Sequence, residues 1–320
     1  MRALRGEPTD SVPFWEVWFG MTRLAETLLG RPVKTVADRV ALARIMGWEY
    51  LTMGIPARHP GSRSETASDG TRHYVPGGKI PLEELYARPD PDLSEPIEQA
   101  QELIRVAREE GLVVIAYLPW CFHAASTALG LETLSLVAYD DPDYLHALLE
   151  WVEEGSRRAL REALIPLGVD LVLFDGDCAY RNGLMVNPRM FRDLVFDRTA
   201  KTVSLLREAG IPYTFHSDGK VDDLLPLLIE LGFCGFHGVE AQANDLGDIK
   251  RRFGRDITLI GNMDVVFLAH ATVEEVRRET ERMLAIGTPG GRYVAACNTS
   301  PLDYIPQENY LAFVDTIRNF

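Results

Sequence analysis

The chain has 320 residues, 46% of them hydrophobic and 25% charged, with 33 basic against 47 acidic side chains and a net charge of −14. This much apolar residue buries enough surface to offset the entropy of ordering, which excludes a disordered chain. A strong acidic excess is the wrong footprint for a nucleic-acid reader. Four cysteines, Cys121, Cys178, Cys234 and Cys297, are scattered without a CxxC pair, so no disulfide scaffold is expected. The first residues, MRALRGEPTDSVPFWEVW, lack the apolar run of a signal peptide. No uncharged apolar run reaches the ~18 residues of a membrane span, and the expected location is the cytoplasm.

In chain order, short apolar or β-branched runs fall at 13–18, 50–53, 112–118, 169–174, 211–216, 235–239, 257–261 and 292–296, which makes eight. Between the later runs lie stretches of helical period: DDPDYLHALLEWVEEGSRRALREALIPLG, NPRMFRDLVFDRTAKTVSLLREAG, KVDDLLPLLIELG, NDLGDIKRRFG and TVEEVRRETERMLAIG. Several open on Asp, Asn or Thr, and most close on Gly, the residue types that start and stop helices. Strand and helix alternating eight times predict an α/β fold, a (β/α)8 TIM barrel spanning 1–320 as one domain. Residues 55–96, rich in Gly, Pro, Ser and Arg, break the alternation and are expected to form an insertion after the second strand, with TRHYVPG as one strand of a small hairpin.

In a barrel of this kind chemistry gathers at the C-terminal ends of the strands. There the sequence places Glu16 and Trp18 after the first run, Trp120, Cys121 and His123 after the third, and Asp175, Asp177 and Cys178 after the fourth. His216 and Asp218 follow the fifth run, Glu240 the sixth, Asn262 and Asp264 the seventh, and Cys297 and Asn298 the eighth. Any one of these has an ordinary alternative. Asp218 precedes a glycine and a helix and is placed as a cap would be; Cys234 reads as a small apolar core residue; His59, His73, His146 and His270 are given no role. The joint pattern is what points to a site. His216, Asp218, Glu240 and Cys297 offer nitrogen, oxygen and sulfur donors of the kinds zinc accepts. The same groups without metal form a hydrogen-bonding set in which His216 acts on a proton or a substrate carboxylate. Asp175, Asp177 and Asn262 are expected to orient or protonate a small molecule, with Trp18, Trp120, Tyr180 and Asp264 as substrate contacts.

GEPTDSVPFWE, DGDCAYRNGLMVNPRMFRDLV, HSDGKVDDLLPLLIELGFCGFHGVE, GNMD and CNTSPLDYIPQENYLAFVDTI together resemble the uroporphyrinogen decarboxylase superfamily, which includes cobamide-dependent methyltransferases. The resemblance spans nearly the whole chain and implies the same barrel. True decarboxylases of the superfamily carry an arginine-rich RQAGRY-type segment after the first strand that binds substrate propionates. Here that place reads EVWFGMTRLAE, with only Arg23 nearby, and a late His of the decarboxylases is replaced by Cys297. In the zinc methyltransferases the motif after the fifth strand is HxCG and a late ligand is Cys. His216 and Cys297 match, Glu240 stands where an acidic residue is expected, and Asp218 replaces the motif's Cys, a harder donor that shifts the site away from thiolate zinc.

The resemblance therefore implies a methyltransferase moving a methyl group between a small molecule and a cobamide, with zinc as the possible metal. No DxHxxG-like corrinoid-binding segment occurs in the sequence, so the cobamide is expected on a partner protein docked over the barrel mouth. A decarboxylase acting on a tetrapyrrole or a smaller carboxylate is the alternative, and a ligand-binding barrel without catalysis is a third. Relatives in the superfamily are often dimers, so a homodimer is also expected.

Overall fold

The computed structural model describes residues 1–61, 63–66, 72–75 and 77–320. Its strands are β1 (Tyr50–Gly54), β2 (Arg63–Thr66), β3 (Arg72–Val75), β4 (Val113–Pro119), β5 (Leu171–Asp175), β6 (Ala179–Tyr180), β7 (Gly183–Leu184), β8 (Tyr213–His216), β9 (Gly235–His237), β10 (Thr258–Ile260) and β11 (Tyr293–Val294). Seven of them form one curled parallel sheet in the order β1-β4-β5-β8-β9-β10-β11. Each crossover between neighbours carries helix, the arrangement that parallel pairing requires.

The first apolar run does not become a regular strand. It contributes a single parallel bridge, Phe14 to Ala295, with Trp15 N donating to the Ala295 carbonyl and Ala295 N to the Pro13 carbonyl. On its other side Glu16 N donates to the Tyr50 hydroxyl at 2.8 Å, and that hydroxyl donates back to the Glu16 carbonyl at 2.9 Å. The segment thus lies between β11 and β1, tied by a bridge on one side and a side chain on the other. Proline at 13 and an inward-turned carboxyl at 16 both work against a longer ladder.

The predicted helices form where their caps require. Asp141 accepts from Tyr144 N ahead of Pro142–Ala159, Asn187 from Arg189 N ahead of Pro188–Glu208, and Asp245 from Asp248 N ahead of Leu246–Phe253. Thr272 and Glu275 close a capping box on Val273–Gly287. Within 55–96, β2 and β3 pair as an antiparallel hairpin, and a short helix, Leu82–Ala87, follows. Thr71 and Pro76 of the TRHYVPG run lie outside the described residues. Among the described residues no single helix is long and apolar enough to cross a membrane.

The core fills the space between sheet and helices. Trp120, Phe122, Phe191, Phe215 and Phe233 stack edge to face or tilted with centroids 4.9–6.0 Å apart. Such pairs each add about 0.5–1.5 kcal/mol beyond the burial of their area. Inside the sheet, Glu16 is buried against the Cys297 thiol and receives the Tyr310 hydroxyl at 3.1 Å. Burial raises its pKa to about 8 against the opposing pull of those hydrogen bonds, so near neutrality it is a protonated carboxyl.

A carboxyl that holds its proton more tightly in the folded state stabilises the fold below the ordinary carboxylate range, and that contribution is lost as the pH rises through about 8. Glu16→Gln, neutral at every pH, is therefore expected to gain in Tm relative to the parent protein between about pH 5 and about pH 9. Thermal melts followed by circular dichroism read this directly; a constant gap across that range would show that Glu16 is already ionised in the folded chain.

Candidate active site and metal centre

The parallel register sets three polar groups level at the C-terminal edge of the sheet: Asp175 pairs with His216, and His216 with His237. Period-two alternation turns His216 and His237 inward together. Both are buried, and their Nδ1 atoms lie 2.8 Å apart, so the pair shares one N–H, donated from one ring to the other. Burial, and then the neighbouring His216, push the pKa of His237 well below its ordinary value, which keeps that ring neutral. Trp18 meets His216 edge to face with centroids 4.9 Å apart, and Trp18 in turn lies 5.2 Å from Tyr117.

The other face of His216 is acidic. Its Nε2 is 3.6 Å from Asp177 Oδ1 and 4.0 Å from Asp218 Oδ1, and one ligand atom from each of Asp177, His216 and Asp218 lies within 4.8 Å of the others. Asp177 Oδ1 also accepts from Asp218 N at 3.0 Å, while Asp218 Oδ1 is buried with no hydrogen-bond partner. Burial raises the pKa of Asp218 to about 6, His216 opposes this, and the charges of Asp177, Glu240 and Asp175 add to it. Asp175 is raised as well, by burial first, with His216 and His123 pulling it down.

The loop that carries Asp218 is held by its neighbours. Gly219, at φ 89°, passes so close to the β6–β7 turn that a Cβ there would lie 2.5 Å from the Ala179 carbonyl carbon, so the glycine of the HSDG run is a packing requirement. Glu240 Oε2 accepts from Gly219 N at 2.8 Å, and Asn244 Nδ2 donates to the Gly219 carbonyl at 2.8 Å. Ser217 Oγ accepts from Cys178 N at 3.2 Å, which ties this loop to the one after β5. Val239, a β-branched residue at φ 47°, directs Glu240 toward that contact.

Of the expected metal set, then, His216 and Asp218 come together, with Asp177 in place of the other two. Glu240 is engaged with the Gly219 backbone. Cys297 is fully buried, its N donates to Glu16 Oε2 at 3.2 Å, and burial and the Glu16 carboxyl raise its thiol well above the ordinary value. A thiol in that state is not a ready thiolate donor. Asp175 and Asp177, expected as proton-handling groups, do face His216. Asn262, expected beside them, spends its amide on the Val239 carbonyl at 3.0 Å.

Among the expected substrate contacts, Trp18 lies on the site. Trp120 is core, 1% exposed, with Nε1 donating to Thr199 Oγ1 at 3.0 Å. Asp264 caps Val265–His270 through Val266 N and accepts from Gln242 Nε2 at 3.0 Å. Tyr180 is 48% exposed on the short β6 strand. Sequence reasoning passed over His237; the signal available was its place at the end of an apolar run, GFHGV, one register step from His216.

One imidazole and two carboxylates make a nitrogen and oxygen donor set that fits a divalent cation such as zinc, and harder than a thiolate set. The orphaned Asp218 Oδ1 is the atom such an ion would satisfy.

A family model described as Uroporphyrinogen decarboxylase (URO-D) matches residues 81–320. The chain belongs to that family. Among curated relatives, Uroporphyrinogen decarboxylase of Alkalilimnicola ehrlichii is 25% identical over 99% of this chain and 92% of its own length; that of Psychromonas ingrahamii is 25% identical over 71% and 65%. Among solved structures, a methyltransferase from Methanosarcina mazei shares the fold over 100% of this chain and 97% of its own, at 20% identity and a TM-score of 0.76. A B12-independent methionine synthase from a Shewanella species shares it at 12% identity and a TM-score of 0.60, over 97% and 98%.

Zinc titration against a chromophoric chelator tests the donor set. His216→Ala and Asp177→Ala are each expected to abolish tight binding, and Cys297→Ser to leave it intact. His237→Phe removes only the partner of a ligand and is expected to weaken binding by ~10–100-fold. Retention in His216→Ala, or loss in Cys297→Ser, would overturn the assignment.

Proposed function

We propose that this chain is a methyltransferase whose site is a divalent metal centre on Asp177, His216 and Asp218, exchanging a methyl group between a small molecule and a cobamide carried by a separate protein. The observation that carries this reading is the cluster itself: an inward imidazole at the end of β8, flanked at 3.6 and 4.0 Å by two carboxylate oxygens. The fold shared with the Methanosarcina methyltransferase along the whole chain supports it. The sequence holds no DxHxxG-like segment, so this reading puts the cobamide on a partner over the mouth. The reading takes 1–320 as one closed (β/α)8 barrel domain, with residues 13–18 as the eighth stave and 55–96 inserted, acting in the cytoplasm, with a homodimer as its expected assembly.

When bound, a cation here supplies Lewis acidity toward the heteroatom that bears or receives the methyl group. The chain's own residues prepare that position. With a cation on Nε2, His216 would carry its proton on Nδ1 and donate it to His237 Nδ1, 2.8 Å away, which would hold that tautomer. Asp175, its pKa raised by burial, holds or releases a proton beside His216. Trp18 and Tyr117 wall the site and limit water.

Decarboxylation is the second reading, favoured by the curated relatives. It asks for several cations around a polycarboxylate substrate. Arg23, the one arginine expected there, is turned to Asp303, whose Oδ1 accepts Arg23 N at 3.0 Å and whose carbonyl accepts its guanidinium.

The two readings separate in one assay. Zinc-loaded protein incubated with free methylcobalamin and a panel of thiols, and with cob(I)alamin and a panel of methyl ethers and methylamines, is expected to change the visible spectrum of the corrinoid. His216→Ala is expected to slow this by ~100-fold or more, the loss of about 2.7 kcal/mol of transition-state stabilisation. Carbon dioxide release from uroporphyrinogen without any corrinoid turnover would replace this reading by the decarboxylase.

A further inference from the structure

A cation other than Arg23 reaches the end of β1. Arg39, in the first turn of the helix Val36–Met46, folds back to the end of β1, where its guanidinium donates to the Thr52 carbonyl and, at 3.4 Å, to the Thr52 hydroxyl. Among the described residues no carboxylate forms an ion pair with it. Burial lowers its pKa from the ordinary value, with only Tyr117 pulling the other way; the protein thus desolvates a cation without pairing it, a cost that a ligand oxyanion would offset.

Tyr117 is the second observation. It stands on β4 opposite Gly54, its hydroxyl buried beside the Thr52 side chain without a well-formed hydrogen bond, and in the field of the Arg39 charge. A buried O–H donor beside an unpaired guanidinium is a pair of groups awaiting one acceptor. A Cβ on Gly54 would meet nothing within 4 Å, and Arg39 and Thr52, though not Tyr117 or Trp18, border a cavity of 340 Å³. Glu16 also lines that cavity but holds its proton up to about pH 8, and Glu26 and Lys34 are exposed at the rim.

We propose that Arg39 and Tyr117 form an oxyanion subsite that receives the single carboxylate or sulfonate of a small aryl-sized substrate. Two ring contacts, Tyr117 to Trp18 at 5.2 Å and Trp18 to His216 at 4.9 Å, connect the subsite to the metal-binding imidazole, so a substrate held there by its charged end lies along the Trp18 face with its other end toward His216. That orientation rests on the function proposed above; the binding of the anion does not.

The test is calorimetric titration of chelator-treated, full-length protein with benzoate, benzenesulfonate and the neutral benzamide, without corrinoid. Benzoate or benzenesulfonate is expected to bind at least about tenfold more tightly than benzamide, the range for hydrogen bonds to a charged group. The tighter of the two anions identifies the oxyanion. Tyr117→Phe, which deletes only the hydroxyl and leaves the packing, is expected to weaken anion binding about three- to tenfold. Arg39→Lys is expected to weaken it too, since one ammonium cannot hold Thr52 and fork onto an oxyanion; Arg39→Met is expected to abolish it, with its melting curve confirming the fold. His216→Ala is expected to lose zinc and keep anion binding, so failure of methyl transfer and failure of this subsite are separate results. Equal affinity for benzamide and the anions, or unchanged anion binding in both Tyr117→Phe and Arg39→Met, would overturn the proposal.

Discussion

The site depends on the register of the parallel sheet. Pro119 pairs with Asp175, Asp175 with His216, His216 with His237, and His237 with Ile260, so one row of residues runs across the C-terminal edge. Shifting β9 by one residue against β8 would turn His237 outward and bring Phe236 beside His216. The His216 ring would then lose its Nδ1 partner and the orientation of its Nε2. Everything downstream of that row, the carboxylates after β5 and the clamped loop after β8, is arranged around the imidazole it fixes.

That row was only partly legible in the sequence. Each of the seven regular strands lies where an apolar run predicted it, because buried parallel strands are hydrophobic on both faces and stand out from polar helix surfaces. The first run, 13–18, was equally apolar but carries Pro13 and the inward Glu16, and it ends as a bridge. Helices in the second half announced themselves through Asp, Asn and Thr caps. The pair Cys121–Leu129 and Leu131–Asp140 did not, since CFHAASTALGLETLSLVAYD is apolar almost throughout and shows no single face.

For the candidate site, residue type at strand ends picked out His216, Asp175, Asp177 and Asp218, which the fold brings together, but said little of what each group touches. Cys297 and Glu240 occupy strand ends as expected, yet one is spent on Glu16 and the other on the Gly219 amide. Spacing along the chain does not distinguish a carboxylate that faces a cation from one that accepts a backbone N–H. His237 and Arg39 escaped notice for the opposite reason: one sits inside an apolar run, the other on a helix, and only the folded chain brings them to the mouth.

The resulting mouth has two poles. Asp175, Asp177 and Asp218 gather around His216, where negative charge favours a cation, and Arg39 stands beyond the Trp18 and Tyr117 rings with no carboxylate paired to it among the described residues. A polycarboxylate entering this mouth would meet the acidic pole with most of its charges unpaired, at several times the ~1–3 kcal/mol cost of a buried unmatched group. On the proposed reading, a small monoanion would meet the cation with one end and leave the acidic pole to a metal. Within a family whose fold is shared, a change of substrate class of this kind would come from where the charges stand, with the fold left as it is.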